Sequence, residues 1–256
     1  MKSLVSAELL KLRGTRSAWI PLGAALVYAV LAVVAATSEA GHGGNPPLSA
    51  GWLPELMRGS GGKFVNGAVL LTWIILSAGE FRHRTSVTTF LGEPRRLRVV
   101  SAKLAAAAIT GVIVGLVAEA LGAVTSAIVL STHHVPLHWT SPGVRGALLT
   151  VPLLAALYGV LGVGLGLLVR NTAVAVGAAL MWAFVIEGVL PSLAREPGLI
   201  RWLPGNAASA ILHGASPTAA TLAAGAAAAL LTGYAIALAA GAAFATAKRE
   251  IGTATG

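Results

Sequence analysis

Apolar residues in this chain do not alternate with polar ones. They run in long blocks, and the blocks have the length of bilayer spans. A spanning helix needs roughly 20 mostly apolar residues, within a range of about 17 to 25. Six segments meet that requirement, at about 17–37, 63–79, 103–131, 146–169, 172–192 and 219–246. The third and sixth exceed it, so they are expected to tilt or to emerge from the bilayer at one end. The pattern predicts an all-α membrane protein with six transmembrane helices. No polar stretch between the blocks is long enough to build a core of its own, so residues 1–256 are expected to form a single transmembrane domain.

The segments between the blocks have their own patterns. Ahead of the first block, MKSLVSAELLKLRGTRS places Val5, Leu9 and Leu12 at helical spacing, with Lys2, Lys11 and Arg13 positioned to anchor against headgroups. An N-terminal interfacial helix is expected there. The first block itself has an apolar core of about 20 residues, longer than the ~7–15 of a cleaved leader, so it reads as a span. Residues 38–62 are rich in Gly and Pro and are expected to form an irregular loop. In residues 193–218 the stretches LIRW and NAASAIL are apolar but too short to span. Asn206 is placed to cap a helix through AASAIL, giving one or two short outer helices between spans five and six.

Composition agrees with the pattern: 56% of the 256 residues are hydrophobic and 11% are charged, against about 25% charged in a soluble domain. Cysteine is absent, which excludes disulfides, thiolate metal sites and a cysteine nucleophile. The formal charge is +9, but the cations lie beside apolar blocks rather than on a water-facing surface of the kind a nucleic-acid binder needs. They point to anionic lipid or a cytoplasmic protein partner, not nucleic acid. With the N-terminus cytoplasmic, the inside set is Lys2, Lys11, Arg13, Arg16, Arg82, Arg84, Arg95, Arg96, Arg98, Lys103, Arg170, Lys248 and Arg249, 13 of the 18 cations. Arg58, Lys63, Arg145, Arg195 and Arg201 fall outside, and both termini are expected inside.

Few motifs carry chemistry. GSGGKF lacks the first Gly and the Ser or Thr of a phosphate loop, since positions 57 and 64 are Met and Phe. His133, His134 and His138 read as a surface loop rather than a metal site. Glu119 and Glu187 fall inside the third and fifth blocks, where a carboxylate costs about 2.5–3.5 kcal/mol. Each is either a polar contact between helices or part of a substrate pathway or gate. Glycines at 111 and 115, and at 162 and 166, make two faces for close helix packing. All nine acidic residues are Glu, and no catalytic constellation is present, so the chain is not expected to be an enzyme.

The densest charge lies in GEFRHRTSVTTFLGEPRRLRVV, residues 79–100, between the second and third blocks. Thr85 or Ser86 is placed to cap a short helix through VTTFL, which Gly92 and Pro94 would end. The arginines suit an anionic leaflet, at ~1 kcal/mol each. Phe90 and Leu91 do not fit that role, and read as apolar knobs for a groove on a protein.

With that block, and with ELLKLRGTRSAW, GLGLLVRNTAVAVGAALMWAFVIEGVLP and RWLPGNAASAIL in the same order, the chain resembles the permease subunits of the ABC-2 family of ABC transporters in their actinobacterial six-span form. The resemblance implies a subunit that binds no cofactor itself and pairs as a homodimer, or a heterodimer with a related permease. It implies a separate ABC ATP-binding subunit that carries ATP and Mg. It also implies that Glu80, Phe81, Arg82, Arg84, Thr85, Thr89, Phe90, Leu91, Arg95, Arg96 and Arg98 form the coupling loop against that subunit. Residues 5–13 would be the connecting helix and 199–212 the outer helices. Export of a lipophilic or amphipathic compound across a bacterial plasma membrane is the expected function. An ion-coupled transporter or channel using Glu119 and Glu187, and a non-transporting immunity or scaffold protein, remain as alternatives.

Overall fold

The computed structural model describes residues 1–43, 45–49, 51–82, 95–193, 197–214, 218 and 220–248. Helix α1 (Lys2–Gly14) and α2 (Arg16–Ser38) are separated by Thr15 alone, whose extended backbone makes the corner and whose hydroxyl donates to the Lys11 carbonyl at 2.8 Å. The second block is preceded by a helix the Gly and Pro content concealed. Residues 38–62 are not irregular throughout, because α3 (Trp52–Ser60) forms there. Leu53, Leu56, Met57 and Ser60 recur at helical spacing and are buried. Pro54 lies in the first turn, where its missing N–H costs nothing. Gly61 and Gly62 then lead into α4 (Lys63–Arg82).

Helix α5 (Arg96–Thr132) has 37 residues, a length of about 55 Å at 1.5 Å per residue. It outruns a bilayer core of about 30 Å. Helix α6 (Pro142–Val169) starts on Ser141, whose hydroxyl accepts from the Val144 N–H at 3.4 Å, with Pro142 in the first position. A two-residue corner follows. Arg170 is left-handed (φ 55°), and the Asn171 side chain accepts from the Val174 N–H at 3.2 Å to cap α7 (Thr172–Met181). The fifth block continues through a π turn at Trp182–Ile186 into α8 (Glu187–Leu193).

At the far end lie two short helices, α9 (Pro197–Ile200) and α10 (Pro204–His213), before α11 (Ala224–Lys248). Asn206 is not the cap of α10. Pro204 has its φ preset for the first helical position, so the helix starts three residues earlier than an Asn206 cap would place it. The Asn206 amide instead donates to the carbonyls of Ile200 and Ala220, at 3.1 and 2.9 Å, tying the flanking turns together. The last span also begins later than its apolar composition suggested. The Thr218 hydroxyl accepts from the N–H groups of Ala220 and Thr221 in a turn that precedes α11.

Six stretches are long and apolar enough to cross a membrane: Arg16–Ser38, Trp52–Phe81, Arg96–Thr132, Pro142–Val169, Thr172–Leu193 and Ala224–Thr246. No strand occurs among the described residues. Helix α6 is the axis of the bundle. A Cβ on Gly111 of α5 would overlap the Ala155 carbonyl of α6, and a Cβ on Gly162 of α6 would overlap the Leu70 carbonyl of α4. Both glycine faces therefore seat α6, one against each neighbour. In the most apolar window of this span 67% of residues are buried, against 6% for Thr172–Leu193, which leans on the bundle chiefly by its first turns.

Candidate functional site

One end of the bundle gathers α1, the end of α4, the start of α5, the α6–α7 corner and the end of α11. There, four charges from three helices form a closed cluster. Lys103 of α5 donates to Glu8 Oε2 at 2.7 Å and to Glu80 Oε1 at 2.6 Å. Lys11 donates to Glu8 Oε1 at 2.7 Å and to the same Glu80 oxygen at 2.7 Å. Lys103 is 2% exposed and Glu8 5%. Two carboxylates and two ammoniums sum to zero, which makes burial of four ionised groups tolerable. Burial is the largest influence on Lys11 and works against its charge. The carboxylates of Glu80 and Glu8 together outweigh it, and hold the ammonium above the ordinary 10.5.

This arrangement revises the reading of α1. Leu12 is buried, and Val5 and Leu9 pack partly buried against the core, as an amphipathic helix would. Lys11, however, also reaches into the fold, donating to the carboxylates of Glu8 and Glu80. Sequence reasoning missed Glu8 and Lys103. The only local signal was the Glu8 to Lys11 spacing of three, because Glu80 and Lys103 are 69 and 95 positions from their partners.

The segment that the resemblance assigns to coupling joins α4 to α5, and the residues flanking it are held on both sides. Arg170 lies over the Phe81 ring, 4.8 Å from the centroid, and donates to the Ala245 carbonyl at 3.3 Å. Arg96 donates to the Thr246 carbonyl at 3.1 Å. Two arginines thus satisfy carbonyls in the last turn of α11, where cations oppose the helix dipole. Glu80 and Phe81 are turned into the fold, whereas Arg95 and Arg98 are exposed. Arg84, Thr85, Thr89, Phe90 and Leu91, with the expected VTTFL helix, lie outside the described residues, as does the Arg82 side chain.

The structure does not bring Glu119 and Glu187 together. Glu187 is half-buried at the opposite end. Its Oε1 accepts from the Gly205 N–H at 2.7 Å and from the Trp182 indole at 3.0 Å, placing a carboxylate on the first turn of α10. Glu119 is 1% exposed in mid-span, and neither of its oxygens has a hydrogen-bond partner. His133, His134 and His138 are exposed in the α5–α6 turn.

Fold and site together define a multi-pass, all-α membrane protein whose N-terminal helix is bolted by ion pairs to the end of α4 and the start of α5. No family model, curated protein or solved structure matches the chain.

Proposed function

We propose that this chain is the permease subunit of an ABC transporter of the ABC-2 kind, in a bacterial plasma membrane with both termini cytoplasmic. It acts as a homodimer or with a related permease. It exports a lipophilic or amphipathic compound at the expense of ATP hydrolysed, with Mg, on a separate ATP-binding subunit. The observation that carries the reading is the fixing of both roots of the 83–94 loop. Through Glu80, Phe81, Arg96 and Lys103 they connect to α1, the α6–α7 corner and α11. A push on such a loop reaches five helices at once, as a coupling element requires. A chain without a nucleotide motif must take that push from elsewhere. The test is co-expression with a candidate ATP-binding subunit. Co-purification and ATP-dependent efflux are expected, with Phe90→Asp abolishing both; efflux and ATP turnover unchanged in Phe90→Asp would overturn the coupling role.

The orphaned carboxyl of Glu119 favours a second reading, an ion-coupled transporter. That reading expects flux in vesicles from an ion gradient alone, lost in Glu119→Gln. Flux that depends on ATP and persists in Glu119→Gln would exclude it.

A further inference from the structure

Beside the charge cluster, α1, α4 and the start of α7 enclose an open crevice of about 610 Å³, within the roughly 300–1,000 Å³ of small-molecule sites. Its walls differ. One is polar, with Glu8, Lys11 and Glu80; the other is apolar, with Ile75, Leu76 and Val176. We propose that this crevice binds one anionic amphiphile, a phosphodiester lipid whose headgroup meets Lys11 and the first turn of α7 while its chains lie along Ile75, Leu76 and Val176.

The sign of the ligand follows from which groups are already used. Both Glu8 oxygens hold an ammonium, and Glu80 Oε1 holds two, so the acceptors of the polar wall are largely committed. The donors are not. Lys11 has three N–H bonds, of which two go to carboxylates, and its side chain is 36% exposed. The N–H groups of Thr172 and Ala173 open α7, which leaves them without intrahelical partners; Asn171 serves Val174 instead. The Thr172 hydroxyl, in the same wall, is buried without a partner. A cation entering here would meet an ammonium and a helix N-terminus, whereas a phosphodiester would meet their donors.

The amphiphilic half follows from position. The crevice lies at the end of three spans, with Ile75, Leu76 and Val176 as its apolar wall, and the same span ends carry bare apolar side chains. Trp19 and Ile20, one turn into α2, are 50% and 72% exposed, and Val174, in the first turn of α7, is 57% exposed. Tryptophan at a span end marks headgroup depth. A headgroup alone would leave the apolar wall uncovered, and a hydrocarbon alone would leave the donors unpaired. The inference stands on the crevice and does not depend on the transporter reading.

The experiment is native mass spectrometry of the detergent-purified chain titrated with phosphatidylglycerol, phosphatidylcholine, glycerol phosphate or inorganic phosphate. One phosphatidylglycerol per chain is expected, at least tenfold tighter than phosphatidylcholine. Ala173→Trp, which fills the crevice and leaves the cluster intact, is expected to weaken it at least tenfold, and Thr172→Val severalfold. Size-exclusion profile and unfolding midpoint establish that each variant is folded; if Ala173→Trp is not, Thr172→Val decides. Equal retention of phosphatidylglycerol by folded variants and wild type, or no preference over phosphatidylcholine, overturns the site. Competition by glycerol phosphate or inorganic phosphate at matched concentration would assign the donors to a soluble phosphate and overturn the lipid.

Discussion

Charge is spent in two opposite ways among the buried residues of this protein. In the cluster of Glu8, Lys11, Glu80 and Lys103 each charge is answered by another, so removing one leaves a net buried charge. Lys103→Met is therefore expected to destabilise the chain by roughly 3–5 kcal/mol, read as a lower unfolding midpoint in detergent. Adding Glu8→Gln to Lys103→Met restores neutrality and is expected to recover part of the loss, so the double variant should be less unstable than the sum of the singles. The cluster also sets a pH limit. The Lys11 ammonium is held above 10.5 in the fold, so its contribution is complete below that pH and is lost as pH rises through the higher folded value. The wild-type midpoint should fall above about pH 10.5 more steeply than that of Lys11→Met. Glu119 is the reverse case, a buried carboxyl that nothing answers. Its replacement should relieve the fold, and Glu119→Leu is expected to raise stability by about 1–3 kcal/mol. A fall in midpoint would mean that the carboxyl has a partner, an ion or a water, which the protein alone does not supply.

Helix contacts in this bundle are decided by where a side chain is missing. Gly111→Ala adds a methyl group that overlaps the Ala155 carbonyl, so α5 and α6 must separate; Gly23→Ala adds the same group where nothing lies within 4 Å. Alanine favours a helix over glycine by up to about 1 kcal/mol, so the two substitutions should differ in sign. Gly23→Ala is expected to be neutral or stabilising and Gly111→Ala destabilising by about 2 kcal/mol or more, measured as unfolding midpoints under one set of conditions. The glycine spacings at 111/115 and 162/166 were legible in the sequence because four residues is one helical turn. For the same reason the six blocks and the amphipathic face of Val5, Leu9 and Leu12 were legible. Helix α3 was not, because its buried face of Leu53, Leu56 and Met57 is embedded in Gly- and Pro-rich surroundings that outweighed nine residues of periodicity. The start of α10 was misjudged because a proline at the first position competes with an asparagine two residues on. The charge cluster was the least legible feature. Its partners come from α1, α4 and α5, and no local rule joins positions 8, 80 and 103.

Taken whole, the molecule has a polarity that the transporter proposal needs and that can be tested without any substrate. The N-terminal helix, the roots of the 83–94 loop and the last turn of α11 share one end through the contacts of Lys11, Lys103, Arg96 and Arg170. The α5–α6 turn and α3 lie at the other. If ATP drives the loop, the first end must face the cytoplasm, which is also the side the distribution of lysine and arginine predicts for it. The chain has no cysteine of its own, so single cysteines report without background. Ser3→Cys at the first end and His138→Cys at the second are both at exposed positions. A membrane-impermeant maleimide added to intact cells is expected to label His138→Cys and to reach Ser3→Cys only after permeabilisation. The opposite pattern would put the loop and its arginines on the side without ATP. No ATP-binding subunit could then reach Phe90, and the permease reading would fail, while the bundle and its charge cluster would stand.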